Sequence, residues 1–590
     1  MGVAHRRELR GLRADRAGAG DHRAPGGLRD PGPGVPARRQ SDDTPGGGAG
    51  RAARDEPILP IMAGPPGRRR PAGLGGPALP LLGLLVFLGP IVPSVSAEEA
   101  GGNRVHVTTN RLDLLFSLDG ASPVTWRACH PSCAQADAAT GTSVRFTGND
   151  DPPQARLVLH GPGPAVDLQG LRFTADLSED TRTRIVTFRS DLPVDGVRLV
   201  KSFAVSRAGY EVVMTARLLG PNAAAFMAGR RLDLELDAGR GLFPAPAAGF
   251  AAILERMSRV VVGEGGVRVV PDDRREPIAL RAGDWTGFRS RFWAMLLRSE
   301  GAGALGPRSA TSIAVAPADE PGRLSWRYTL YSGPLEKEAL THADPALEQM
   351  LFSGLWSWLR PLSFALLFLL RGLTAVVGHP GLAIIALALS VKILLLPLTA
   401  MADRLQTQVN AVQARLQPGI DAINAAHKGE ERARRTLALY REAGVHPLYT
   451  LKSLLGFLIQ LPVFIAVFDM LAEDFDLYRV SFLWIQDLSR PDELLRLPGC
   501  VPFFGCHLNL VPFLMSGVSL ATLLRFRSPV LTPPVVRKQR RNLMVMTLLF
   551  FLLFYTFPAG MVLYWTSTNL FQLVSQELKR MRPDRRQVAS

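Results

Sequence analysis

Charge and catalytic spacing are what this sequence lacks. Only 20% of its 590 residues are charged, against 47% hydrophobic, and the apolar residues crowd into the last 240 positions as long runs that soluble domains do not show. Cysteine occurs four times. Cys129-His-Pro-Ser-Cys133 offers too few ligands for a metal site, which leaves a local disulfide or two unpaired thiols. Between 98 and 341 the His, Ser and Asp residues are scattered, with no nucleophile elbow and no metal-ligand spacing, so a hydrolase has no visible machinery. No RNA-binding motif with interleaved aromatics accompanies the net charge of +16. The arginine excess lies in the first 70 residues and in short loops between apolar runs, a membrane pattern rather than a nucleic-acid one.

What is present divides the chain. Residues 1–61 are rich in Arg, Gly, Pro, Ala and Asp and have too little apolar surface to offset chain entropy, so disorder is expected. Met62 opens a second beginning: Arg68, Arg69 and Arg70, the stretch ALPLLGLLVFLGPIV and the small-residue ending Ser94-Val95-Ser96-Ala97 form a signal-peptide layout over 62–97. Translation starting at Met62 is the expectation, with a functional basic extension as the alternative. Cleavage after Ala97 is favoured over retention as an anchor. From 98 to 345, runs such as VHVTTNRLDLLFSL, RLDLELDAG and RLSWRYTLYSG alternate and are punctuated by Gly, Pro and Asp, which predicts an all-β sandwich.

Residues 351–378 are apolar but carry Arg360, Pro361 and Arg371, and predict a helix from Leu355 to Val377 lying at a membrane interface. Five spans are predicted in 379–576: Leu382–Ala402, Leu448–Leu471, Leu510–Leu524, Leu543–Phe557 and Met561–Val574. The last three are short, ~21 to 25 Å against a hydrocarbon core of ~30 Å, and would thin the bilayer. Met401–His446, Arg525–Arg541 and Glu577–Ser590 hold 7, 6 and 5 Lys/Arg, whereas Ala472–Leu508 holds 3 against 6 acids. The basic segments, including the tail 577–590, therefore belong in the cytoplasm and the β domain outside. All four cysteines then face an oxidising compartment, and Cys500 and Cys506 are close enough for a local disulfide if the backbone turns. Between the second and third of these basic segments, Pro558-Ala559-Gly560 reads as a tight outer turn. In the hairpin 401–446, Leu405, Val409, Val412, Leu416, Ile420 and Ile423 recur at helical spacing, with Pro418 and Gly419 expected to interrupt it.

Five stretches in order, SVKILLLPLTAMADRLQ, LYREAGVHPL, LIQLPVFIAVFDML, SFLWIQDLSRPD and FPAGMVLYWTSTNLFQLVSQ, resemble the YidC/Oxa family of membrane insertases. GDWTGFRSRFW and YTLYSGP more faintly resemble the periplasmic sandwich of its Gram-negative members. The resemblance implies an α-helical membrane bundle of five core spans plus an interfacial helix, behind an N-terminal all-β periplasmic sandwich. It implies a non-enzymatic insertase and chaperone of the inner membrane, with no cofactor and no direct nucleic-acid partner. Its partners would be nascent membrane proteins, the lipid bilayer, the Sec translocon, and the ribosome and signal-recognition receptor.

The resemblance also places Lys392, Gln460, Asn569 and Trp565 in a hydrophilic substrate groove. Lys392 stands where the family usually has Arg; it keeps the charge but loses the planar fork that binds a carboxylate bidentately. The bland alternatives are a lysine snorkelling to the inner interface, interhelical hydrogen bonds at Gln460 and Asn569, and simple packing at Trp565 and Tyr564. A small-solute transporter or channel is the competing function, but the spans show no inverted repeat and no membrane-centred acid for ion coupling. A domain with no visible active site, the β region is expected to be removable with modest loss.

Overall fold

In the computed structural model, the described residues are 102–581 apart from 139–140, 149–150, 163–166, 193–195, 244–246, 272, 275, 310, 319–321, 447–454 and 526–532. The expectations for 1–61 and 62–97, and the tail beyond 581, lie outside them.

The first half is built from antiparallel sheets of nine, five and four strands. Alternation in the sequence becomes alternation in burial: Arg198–Ser206 and Glu211–Leu219 bury every second side chain, as a strand with one face on a core must. VHVTTNRLDLLFSL forms the hairpin Arg104–Thr108 and Leu112–Ser117, RLDLELDAG the strand Arg231–Asp237, and RLSWRYTLYSG the strand Ser325–Pro334 beside Glu211–Leu219. Phe116 of the four-stranded sheet meets Phe188 and Phe203 of the nine-stranded one at ring distances of 5.5 and 4.9 Å. The core thus lies between facing sheets, the expected sandwich. Three short helices, α1 (Cys133–Asp137), α2 (Ala223–Met227) and α3 (Lys337–Ala343), decorate it.

The second half is helical: α4 (Arg360–Val377), α5 (Pro380–Leu394), α6 (Leu396–Ala426), α7 (Gly429–Glu442), α8 (Leu455–Glu473), α9 (Val511–Arg525), α10 (Pro533–Phe554) and α11 (Ala559–Met581). Among the described residues, α4 alone is long and apolar enough to cross a membrane by itself, and α5 with α6 passes as one broken span bent by 58°. The run expected as Leu382–Ala402 is therefore two helices. It breaks at Leu395, because Pro397 in the first turn of α6 has no N–H to continue α5. The four other expected segments overlap α8, α9, α10 and α11; 448–454 lies outside the described residues, Leu510 precedes α9, and 555–557 follow the end of α10. At 1.5 Å per residue α5 and α9, fifteen residues each, are ~22 Å long.

One expectation is overturned in the hairpin. Pro418 and Gly419 do not interrupt it, since α6 runs unbroken through both. Pro418 removes only one backbone hydrogen bond, and Gly419 lies against α7, where a Cβ would come within 2.9 Å of Leu439 Cδ2. The glycine lets the two helices approach.

The junction between the halves is dense. The hairpin Trp285–Arg289 and Trp293–Ser299, which carries the GDWTGFRSRFW motif, sets its turn against the C-terminal end of α8. Arg289 donates to Met350 O, Ser353 Oγ and Glu473 (2.9, 2.8 and 3.2 Å). Buried Arg291 donates from Nε to Ala472 O (2.7 Å) and from Nη1 to Glu255 and Ser489 O (2.8 and 2.7 Å).

Candidate groove in the helical half

The helices alternate in direction, so residues far apart in sequence share a level. The N-terminal ends of α9 and α11 are fixed by the segment after α8. Asp492 caps α9 by accepting from Leu510 N and Val511 N (2.6 and 3.2 Å), and the carbonyls of Arg490 and Leu488 accept from Ala559 N and Gly560 N at the start of α11 (2.7 and 2.8 Å). Phe482 of the same segment packs on Gly381, where a Cβ would sit 2.3 Å from the ring. SFLWIQDLSRPD is thus the strap that holds the N-terminal ends of α5, α9 and α11 together.

Immediately inside that strap the bundle is aromatic. Trp565 packs against Phe464, Phe550 and Phe554 at ring distances of 4.9, 5.5 and 5.6 Å, and Phe468 against Phe554 and Phe557 at 5.8 and 5.1 Å. Toward the other ends of the helices the lining turns polar. A cavity of about 360 Å³ is bordered there by Lys392, Asp403, Gln460, Tyr564, Trp565, Thr568, Asn569, Gln572 and Ser575, and by apolar residues that include Val391, Leu395, Leu396, Val463 and Phe464. All four residues expected in the groove therefore border one cavity. Lys392 Nζ donates to Gln572 Oε1. Asn569 Nδ2 donates to Ser519 Oγ of α9 at 3.0 Å, so it makes an interhelical hydrogen bond and also lines the cavity. Trp565 lines it from the aromatic side.

Gln572, Thr568, Ser575 and Asp403 escaped the sequence reading. The first three carried a signal: with Asn569 they recur at three- and four-residue steps, a polar stripe down one face of α11. Asp403 carried none, because it was assigned to the cytoplasmic hairpin rather than to the groove.

Outside the helices, the structure closes Cys129 to Cys133 and Cys500 to Cys506 as disulfides. The first lies where the β domain meets the segment after α8: His130 packs edge-on to Phe475 at 4.9 Å, and its Nδ1 is 3.6 Å from Glu336. Burial, then the negative charges of Asp476 and Glu338, push the Glu336 carboxyl up to about 7. The second closes the hairpin Leu495–Val501 and Gly505–Leu508, whose Phe503 ring meets Phe250 of the β domain at 5.2 Å.

Residues 372–584 match the family pattern of the 60Kd inner membrane protein. The helical half of this chain is thus similar to the 60Kd inner membrane protein family. The chain is 31% identical over 259 residues to the membrane protein insertase YidC of Chloroherpeton thalassium, covering 42% of this chain and 41% of that one. It is 33% identical over 256 residues to YidC of Cupriavidus metallidurans, covering 43% and 41%. The chain thus spans about two fifths of the length of these relatives. A crystal structure of active YidC insertase with its first transmembrane domain resolved is similar at a TM-score of 0.31 and 18% identity, over 80% of this chain and 92% of that chain. Family members are inner-membrane proteins by description, and the relatives are named as insertases rather than as enzymes.

Proposed function

We propose that this chain inserts and helps fold inner-membrane proteins, using the cavity around Lys392 as a hydrophilic groove for the incoming segment. The observation that carries the reading is the layering of the helices, aromatic and closely packed toward the outer strap and polar toward the other end. A charged or polar residue carried through bare hydrocarbon costs ~2.5 to 3.5 kcal/mol at the bilayer centre. A polar cavity reaching half-way into the bundle, together with helices of ~22 Å, shortens the apolar path that a polar outer segment must cross. The apolar segment behind it then leaves sideways into lipid. No covalent step and no nucleotide is required.

In this reading the β domain is periplasmic, the hairpin of α6 and α7 and the C-terminus are cytoplasmic, and five spans make the core. Helix α4 lies along the outer interface. Its two arginines are eleven residues apart, ~16 Å along a helix, yet both meet groups at the outer ends of other elements. Arg360 donates to Leu351 O (2.9 Å), beside the Phe352 N–H that binds Glu473, and Arg371 donates to Asp476 (3.0 Å) and Glu338. A helix crossing the bilayer would separate those levels. The partners are nascent membrane proteins, with the Sec translocon for larger cargo and with the ribosome and the signal-recognition receptor on the hairpin side. Residues Lys392, Gln460, Asn569 and Trp565 contact cargo.

Purified chain in liposomes tests the function. Protease protection of a single-span substrate, with no uptake of small solutes, supports the insertase; solute flux without insertion would establish the transporter instead.

A further inference from the structure

Lys392 is the only cationic side chain bordering the cavity and Asp403 the only anionic one, among the described residues. They stand on opposite sides of the 58° bend between α5 and α6: Lys392 in the last turn of α5 and half-buried, Asp403 in the second turn of α6 and exposed. Asp403 is therefore at the mouth and Lys392 further in. Arg404, next in sequence, does not border the cavity, since adjacent residues on a helix do not face the same way. Beyond Asp403, α6 leads away into the basic hairpin.

We propose that Asp403 is a specificity-determining residue of the groove, receiving the basic residues on the trailing, cytoplasmic flank of an incoming segment while Lys392 faces the part carried outward. The proposal rests on the reading of this cavity as the substrate path. Membrane segments as a class carry Lys and Arg on the flank that stays in the cytoplasm. A groove with its cation deep and its anion at the mouth complements that charge order in one orientation and opposes it in the other. Both side chains border the cavity although α5 and α6 diverge by 58° between them.

The test uses full-length protein in liposomes and two single-span reporters that differ only in their cytoplasmic flank, one with two lysines and one with two glutamines. The readouts are the amount inserted and its orientation, by protease protection. For Asp403→Asn the ratio of lysine-flank to glutamine-flank insertion falls on the order of fivefold, the scale of one screened charge pair. Asp403→Lys lowers it further and raises the inverted fraction, and Asp403→Glu restores it. An unchanged ratio in both Asn and Lys variants overturns the proposal, as does an equal loss of both reporters in all three variants, which would mark Asp403 as structural. If the unsubstituted protein inserts neither reporter, the groove reading fails as well; if it inserts both and only the flank dependence is missing, this proposal fails alone.

Discussion

At the seam between the β domain and the helical half, arginines are enclosed and most of their donors meet fixed acceptors: Arg291 two backbone carbonyls and Glu255, with its Nη2 buried and unpartnered among the described residues, and Arg289 Met350 O, Ser353 and Glu473. In the inner cavity the same sign of charge is handled differently. Lys392 is half-buried on a flexible stem, hydrogen-bonded to a neutral amide, and borders an open volume shared with hydroxyls, amides, apolar side chains and Asp403. Charge at the seam positions elements, because a buried arginine with matched partners holds one geometry. Charge in the cavity borders an open volume and is held by at least one exchangeable neutral partner, Gln572. The two chemistries suit a rigid outer closure and an inner surface that must release what it binds.

The largest effect expected from breaking that contrast is at Arg291. Truncation to Ala strands Glu255 and two carbonyls in a buried site, a loss of roughly 3 to 5 kcal/mol, visible as a lower unfolding temperature in detergent and a reduced membrane level. Deleting Gly101–Leu340 removes Arg289 and Arg291 together, so the modest loss expected from sequence becomes a severe one in rescue of a depleted strain. An undiminished level for Arg291→Ala would mean that the seam is not the rigid part.

At Lys392 the expected effect is on cargo rather than on stability. Lys392→Arg stays active, Lys392→Ala is impaired chiefly for cargo with acidic outer segments, and Lys392→Glu is worst, over a range of ~1 to 3 kcal/mol. Insertion assays with acidic and neutral outer segments read this directly; equal losses for both cargoes would assign Lys392 to packing.

Opening the Cys500–Cys506 bridge by double substitution to Ser should cost ~2 kcal/mol, the loop-closure value for so short a loop. The loss should appear as earlier protease cleavage within 495–508 and not in the insertion rate at low temperature.

The smallest effect is a pH slope at Glu336. Its carboxyl titrates near 7 in the folded protein against 4.5 as a free side chain, so between those values the folded state holds a proton that the unfolded state has lost. Stability therefore falls as pH rises through that window and is lowest above about 7. Thermal unfolding of Glu336→Gln should match the parent at pH 4.5 and exceed it at pH 8 by about 2 kcal/mol; a parallel slope in both proteins would remove Glu336 as its source.

The β strands and the helix positions were legible because alternation and long apolar runs are local signals: Val212, Met214 and Ala216 are buried in turn as their spacing requires. The cavity lining was legible where polar residues interrupt apolar helices, at Lys392, Gln460 and Asn569. What escaped depended on partners distant in the chain. Arg291 meets Ala472 and Ser489 across 181 and 198 positions, which no periodicity records. The bend at Leu395 hides behind an apolar run that continues through it, so the place of Asp403 beside the cavity left no trace in the sequence. Pro418 misled for the opposite reason, since a strong local breaker was overridden by the packing of α6 on α7.

The central claim is that the bundle is wet on the inner side of Trp565 and dry on the outer side. With all four native cysteines in disulfides, single substitutions report cleanly. Lys392→Cys and Phe468→Cys should be treated with a membrane-impermeant maleimide from each face of oriented membranes. Position 392 should react from the cytoplasmic face and position 468 from neither until the protein is unfolded. Labelling of 468 as fast as 392, or of 392 only from the periplasmic face, would contradict the account.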